Sequence, residues 1–187
     1  ASNILLLPFK EIQSKVYYEV KERPIENKYI CISIHSTSGC KYWDYWQELV
    51  DYLISKGYEV IEVSNEPSDL KNLSTFTDKS MPSTMNAIHH SEFVIGLSSG
   101  ISWLSWAMNK QVVMISNFTK SSHEFTSNCV RINNLSVCNS CWNDPMFKFD
   151  KGNWKWCPEH EDTPRAFECH KSISAKDVIQ KISHLIN

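Results

Sequence analysis

No stretch of this chain is long and apolar enough to cross a bilayer. The longest apolar runs, among them Val112 to Ile115 and Phe93 to Leu97, have the length of strands. Neither sign of charge is in excess. Nineteen Lys and Arg against 21 Asp and Glu leave a net charge of −2, which gives no electrostatic reason to expect nucleic acid or an anionic membrane as partner. The chain has no P-loop, no dinucleotide glycine fingerprint and no Ser–His–Asp set. An NAD-dependent open-sheet enzyme such as an epimerase therefore lacks the motif it needs. The opening Ala1-Ser2-Asn3 carries no initiator Met, charged n-region or apolar h-region. It is expected to be a processed or truncated start and not a signal peptide.

What is present begins with length. The 187 residues suffice for one compact α/β domain and a small appendage. A domain of roughly 150 residues buries about two thirds of its unfolded surface, so its core needs no covalent staples. The seven cysteines are unevenly placed. Cys31, Cys40 and Cys129 stand singly, whereas Cys138, Cys141, Cys157 and Cys169 cluster near the end. An odd total without a secretory signal argues against a disulfide framework and for a reducing, cytoplasmic compartment with one metal cluster.

Ile4 to Leu7 is an apolar run ended by Pro8, readable as a strand or entry segment, and Lys10 to Pro24 has no assignable pattern. Tyr29 to Ile34 reads as a buried strand, followed by the polar loop His35 to Lys41. Trp46, Leu49, Val50, Leu53 and Ile54 recur at helical spacing, and Gly57 closes that helix. A strand at Tyr58 to Val63, a long polar connection from Ser64 to Ser80 and a helix from Ser83 to His90 follow. Then come a strand from Glu92 to Leu97, an apolar helix from Ile101 to Met108 and a strand from Gln111 to Ser116. This alternation predicts a Rossmann-like α/β fold, an open parallel sheet with helices on both faces. After Phe118 the periodicity stops, and it returns only at Ser174. There Ser174-Ala175-Lys176-Asp177 resembles a capping box, and Val178, Ile179, Ile182, Leu185 and Ile186 form the stripe of a terminal helix. The expected divisions are an entry segment (1–28), the sheet domain (29–135), a metal-binding insertion (136–171) and a terminal helix packing back on the domain (172–187).

Three constellations could carry chemistry. Open parallel sheets bind ligands outside the carboxyl ends of their strands, where loop amides and helix N-termini favour phosphate. The loop after the first strand places Ser36, Thr37 and Lys41 there, two hydroxyl donors and a cation suited to a diphosphate, although a solvated polar turn would read the same. Gly96-Leu97-Ser98-Ser99-Gly100-Ile101-Ser102 is a second turn of the kind, whose small residues let amides approach an anion. Together the two turns suggest one phosphate-bearing ligand. The third is C-x2-C-x15-C-x11-C, formed by Cys138, Cys141, Cys157 and Cys169. A CxxC puts two thiolates on one tight knuckle and two later thiolates complete a tetrahedron, with no open position for catalysis. The alternative is four unrelated buried thiols, but the aperiodic segment around them lacks other folding energy, which a metal would supply. Iron and zinc both suit four sulfurs. Trp142, Trp154 and Trp156 lie between the ligands and are expected to pack around the knuckle as a small core, with sugar stacking as the alternative.

The residues from Tyr29 to Asn117 resemble the C-terminal lobe of bacterial ADP-heptose-dependent heptosyltransferases, through Ser36, Thr37, Lys41 and Trp43 and then Ser98-Ser99-Gly100 and Trp103. Ser98 stands where that family carries Asp, and Trp103 where it carries His. Both departures are shared by a sister group, the autotransporter O-heptosyltransferases, which glycosylate serines of adhesins. GLSSGISWLSWAM and VCNSCWND…WKWCPEH…RAFECHKSI are similar to that group's sequences, the latter to its four-cysteine iron motif. The resemblance covers roughly residues 29 to 185. It implies a GT-B transferase with structural ferric iron on Cys138, Cys141, Cys157 and Cys169 and zinc as the alternative, ADP-heptose as donor, an autotransporter adhesin as acceptor, and assembly into homo-oligomers. It further implies that Lys41 binds the donor diphosphate with Ser36 and Thr37 beside it, that Ser98, Ser99 and Gly100 meet the phosphate or the sugar, and that Glu66 meets the ribose. No catalytic residue is expected within these residues, because the acceptor's base lies in an N-terminal lobe that 187 residues cannot also hold. Two other readings stand beside this one: a lipopolysaccharide-type heptosyltransferase lobe, and a non-catalytic metal-knuckle module that binds a protein.

Overall fold

The computed structural model describes residues 8, 10–150 and 152–186. The apolar run Ile4 to Leu7 lies outside the described residues. Five strands, β1 (Tyr29–Ser33), β2 (Glu59–Glu62), β3 (Val94–Leu97), β4 (Val112–Ile115) and β5 (Cys129–Ile132), form one parallel sheet in the order β2-β1-β3-β4-β5. β1, β3 and β4 are buried at every position. That is why they read as unbroken apolar runs: both sheet faces are covered.

Side chains alternate between two cores, as the pleat requires. Ile30, Ile32, Val60, Ile95, Val113 and Ile132 point to one face. There they meet Leu49, Val50 and Leu53 of helix α1 (Trp46–Ser55) and Val178 and Ile182 of a later helix. Tyr29, Cys31, Ile61 and Val94 point to the other, against Ala87 and Ile88 of α2 (Met81–His90) and Ile101 and Leu104 of α3 (Gly100–Ala107). Each fully buried Leu or Ile contributes about 1.5–3 kcal/mol.

Local signals set the helix ends. Gly57 takes φ +83°, its N–H reaches Ile54 O at 2.9 Å, and the Tyr58 N–H reaches Leu53 O at 3.2 Å. This left-handed residue with its paired bonds is a Schellman stop, and Tyr58 and Leu53 close it by packing in the same core. α2 starts two residues before the sequence reading, because Ser80 accepts the Ser83 N–H at 3.4 Å and Pro82 suits a first turn. α4 (Glu168–Lys171) is a single turn, and α5 (Ala175–Ile182) carries the expected capping box, Ser174 N to Asp177 Oδ2 at 2.8 Å and Asp177 N to Ser174 Oγ at 3.3 Å. α5 lies against α1 and β5.

Two features were not read from the sequence. β5 continues the sheet beyond β4, with Val130 and Ile132 facing the α1–α5 core and Arg131 facing the other side. Residues 10–28 run without helix or strand across α2 and α3. They are tied by Tyr18 Oη to His89 Nδ1 at 2.8 Å, Lys21 N to Asn86 Oδ1 at 2.9 Å, and Glu11 to the amides and hydroxyls of Thr126 and Ser127. Those bonds, the Ser127 hydroxyl first, hold the Glu11 carboxyl down to about 2.

Candidate functional site

The chain leaves β1 toward β2 on one side and leaves β3 toward β4 on the other, so the carboxyl ends of β1 and β3 border the point where the strand order reverses. A crevice opens there in sheets of this kind. It consists of two adjoining cavities of about 500 and 410 Å³ that share Thr37, Ser99 and Gly100. Ser36, Glu66, Tyr42 and Trp154 line the larger, and Lys41, Ser98, Thr119 and Trp142 the smaller. All seven residues expected to hold a donor border this one crevice, Glu66 from an exposed position at its rim.

Two of these walls follow from local sequence. After β1 the loop closes in a short 3-10 turn, Gly39–Lys41, which turns Lys41 inward until it is 8% exposed. The Lys41 ammonium donates to Ser98 O at 3.3 Å and stands 4.6 Å from the centre of the Trp142 ring. Burial pulls its pKa below the ordinary lysine value, opposed by the charges of Cys40 and Glu124. After β3, α3 begins at Gly100, and Ser99, Gly100 and Ile101 line the crevice, where a helix N-terminus favours an anion. That approach depends on Gly96, since a Cβ there would stand 2.6 Å from Ser102 Oγ, which donates to Leu97 O at 2.6 Å.

Several buried polar atoms here have no hydrogen-bond partner among the described residues. They are Ser36 Oγ, Ser64 Oγ, Ser99 Oγ and His35 Nε2 in the larger cavity and Thr119 Oγ1 in the smaller. A buried polar group left unmatched costs about 1–3 kcal/mol, so the four hydroxyls among these atoms are candidates to meet a polar ligand. His35 was not singled out in the sequence. Its Nδ1 meets Tyr42 Oη at 3.1 Å, and its Nε2 faces the buried Glu62 at 3.6 Å. Glu124 was missed too. It lines the smaller cavity, accepts Ser116 Oγ at 3.1 Å on both oxygens, and pairs with Arg131.

The segment that carries the four clustered cysteines adjoins this crevice through Trp142 and Trp154. Cys138 and Cys141 have their sulfurs 4.0 Å apart, and Cys157 Sγ accepts the Phe167 N–H at 3.4 Å. All are free thiols. Burial first, then the charges of the neighbouring thiols, pushes Cys141 and Cys169 up to about 12, and Cys138 is raised by the same causes. Thiols that burial holds protonated are ones a bound cation would ionise, and four free thiols in one aperiodic segment have the chemistry of a thiolate-bound metal's donor set. Cys138 Sγ, His160 and Glu168 also lie within 4.8 Å of one another and could hold an ion. Glu168, however, is already engaged by Arg165 through two bonds of 2.6 and 2.8 Å and by the Cys138 N–H. Around the sulfurs pack Cys40, Phe118 and Trp156. Cys40 therefore does not stand apart, as its place in the sequence suggests. The tryptophan expectation is corrected in part: Trp156 is 5% exposed inside this cluster, but Trp142 and Trp154, at 37% and 52%, face the crevice.

The model of glycosyltransferase family 9, the heptosyltransferases, matches residues 8–156. The chain belongs to that family. Among its relatives is the autotransporter heptosyltransferase Aah of Escherichia coli, 35% identical over 170 residues, a match spanning 84% of this chain and 43% of Aah. Another is the inactive autotransporter heptosyltransferase BimC of Burkholderia thailandensis, 32% identical over 185 residues, 92% of this chain and 44% of BimC. The crystal structure of the dodecameric iron-containing heptosyltransferase TibC with ADP-D-β-D-heptose superposes with a TM-score of 0.85 at 33% identity, over 97% of this chain and 51% of that one. The chain spans about half the length of these relatives.

Proposed function

We propose that this chain is the donor-binding half of a glycosyltransferase that moves a heptose from ADP-heptose to a serine hydroxyl of an autotransporter adhesin. One observation carries the reading: a buried lysine and four unmatched buried hydroxyls line one crevice at the carboxyl ends of adjacent parallel strands. Lys41, with the first amides of α3, stabilises negative charge on the departing diphosphate, a role that fixed donors fill without reorganising. Ser36, Thr37, Ser98, Ser99 and Gly100 position the phosphates and sugar, and Glu66 meets the ribose. The relationship to TibC, crystallised with ADP-heptose, supports this donor.

Cys138, Cys141, Cys157 and Cys169 would hold the metal, ferric iron in preference to zinc, since the relative TibC contains iron. A four-thiolate metal supplies folding energy to the aperiodic segment 136–171 and leaves no position for substrate. Assembly into a homo-oligomer follows the dodecameric relative, and free thiols suit a cytoplasmic site. No helix among the described residues is long and apolar enough to cross a membrane.

The base that takes the serine proton has to stand within about 3 Å of it, and we assign it to an N-terminal half outside this chain. The test is incorporation of labelled heptose into an adhesin peptide. The 187 residues alone should give none, and adding the N-terminal half should restore transfer. Turnover by the chain alone contradicts the division and directs attention to Glu66 and His123 at the crevice; His89 lies away from it, bonded to Tyr18. A non-catalytic reading keeps one observation in its favour, the inactive relative BimC. Absence of transfer with the N-terminal half present, despite donor binding, would select it.

A further inference from the structure

The cysteine segment grips the loop after β1. The carbonyl of Trp154 accepts the Gly39 N–H at 3.1 Å and the Ser38 hydroxyl at 3.2 Å. A Cβ on Gly39 would stand 2.5 Å from Trp154 Nε1, so glycine is what lets the indole seat there. Two residues further along that loop, the Lys41 ammonium lies against the face of Trp142. Trp142 follows Cys141 directly in sequence. Its N–H donates to Phe118 O at 3.2 Å, and its ring packs on Phe149, centroids 4.6 Å apart. The indole is thus fixed from its backbone and from its outer side, and its free face is turned to the lysine.

We propose that Trp142 is a positioning residue for donor binding: its ring face holds the Lys41 ammonium in the smaller cavity, making the cysteine knuckle a wall of the crevice. This rests on the crevice being a nucleoside-diphosphate site. The choice of an aromatic partner matters chemically. A carboxylate at that distance would neutralise the ammonium and repel the incoming diphosphate. A ring quadrupole offsets part of the lysine's desolvation and leaves its full charge for the ligand. It also explains why Trp142 is 37% exposed beside a cluster that buries Trp156.

The experiment compares ADP with adenosine, by calorimetric titration and by competition, on the metal-loaded protein. Trp142→Leu keeps apolar bulk against Phe118 and Phe149 but has no ring face, and Trp142→Phe keeps a ring. Metal content and thermal midpoint are recorded for each. ADP affinity should fall about 3- to 30-fold in Trp142→Leu, the span of a partly desolvated cation–π contact, and should be largely retained in Trp142→Phe. Adenosine, lacking phosphates, should bind both variants as it binds wild type. Adding Lys41→Ala to Trp142→Leu should weaken ADP no further than Lys41→Ala alone. Unchanged ADP affinity in Trp142→Leu, equal losses for ADP and adenosine, or full additivity with Lys41→Ala would each overturn the inference. Wild-type protein that fails to bind ADP would remove the crevice reading itself, and this inference with it.

Discussion

Glu124→Ala should be among the most destabilising single changes in this chain. The carboxylate's side chain is 1% exposed, and its partner Arg131 is 14% exposed on the edge strand β5. Glu124 also receives the Ser116 hydroxyl, while the Arg131 Nη2 donates to Phe125 O at 3.1 Å. Alanine would leave a largely buried guanidinium with only neutral acceptors, Phe125 O and the weak Met114 Sδ, and a buried hydroxyl with none. Breaking one side of a buried pair costs about 3–5 kcal/mol, because the remaining charge stays desolvated. At about 2–4 °C per kcal/mol for a domain of this size, the thermal midpoint should drop by about 6–20 °C. The double change Glu124→Leu with Arg131→Met removes both charges and keeps volume, so it should recover most of that loss. Differential scanning calorimetry of the three proteins decides. A drop below about 3 °C for Glu124→Ala, or a double variant melting below it, refutes the reasoning.

Three further outcomes follow from the same geometry. Purified protein should carry one transition metal per chain by elemental analysis, and Cys141→Ser should abolish it; less than about a third of an equivalent in wild type, with the thiols unpaired, contradicts the site. ADP affinity should be full while Lys41 is protonated and fall as pH rises through its pKa, which burial places below the usual 10.5; in Lys41→Ala that alkaline limb should vanish, along with about 1.5–3 kcal/mol of binding, as read by titration at several pH values. Gly96→Ala should weaken ADP binding by displacing Ser102 and the start of α3, and should cost about 1–3 kcal/mol of stability as an overpacked contact, whereas unchanged affinity would show that the α3 amides do not meet the ligand.

Much of the fold was legible because β1, β3 and β4 are covered on both faces, and strands of that kind announce themselves as unbroken apolar runs. The stop at Gly57 and the box at Ser174 and Asp177 were legible because capping is short-range chemistry. β5 was not, for the opposite reason: it is a four-residue edge strand only partly buried, with Arg131 among its residues, and that arginine belongs there through Glu124, Phe125 O and Met114. Segment 10–28 has no period because its side chains answer to other elements, Glu11 to the turn at Thr126 and Ser127, and Lys21 to Asn86. At the crevice, hydroxyl-rich turns could be read from strand ends, with His35 unremarked in the first of them, but Glu124 and Trp142 are there through tertiary packing. Trp142 and Trp156 are indistinguishable by spacing, and which one faces the ligand depends on where Lys41 lies. Cys40 likewise meets the later cysteines through a loop that the sequence separates from them by about a hundred positions.

Direct titration of ADP-heptose into the metal-loaded protein tests whether the crevice between β1 and β3 receives a nucleoside diphosphate sugar, with ADP as competitor and Lys41→Ala as the matched control. One saturable site per chain is expected, displaced by ADP and weakened at least about tenfold by the substitution. Binding that is absent, or that Lys41→Ala and substitutions of Ser98 and Ser99 leave unchanged, would contradict that reading.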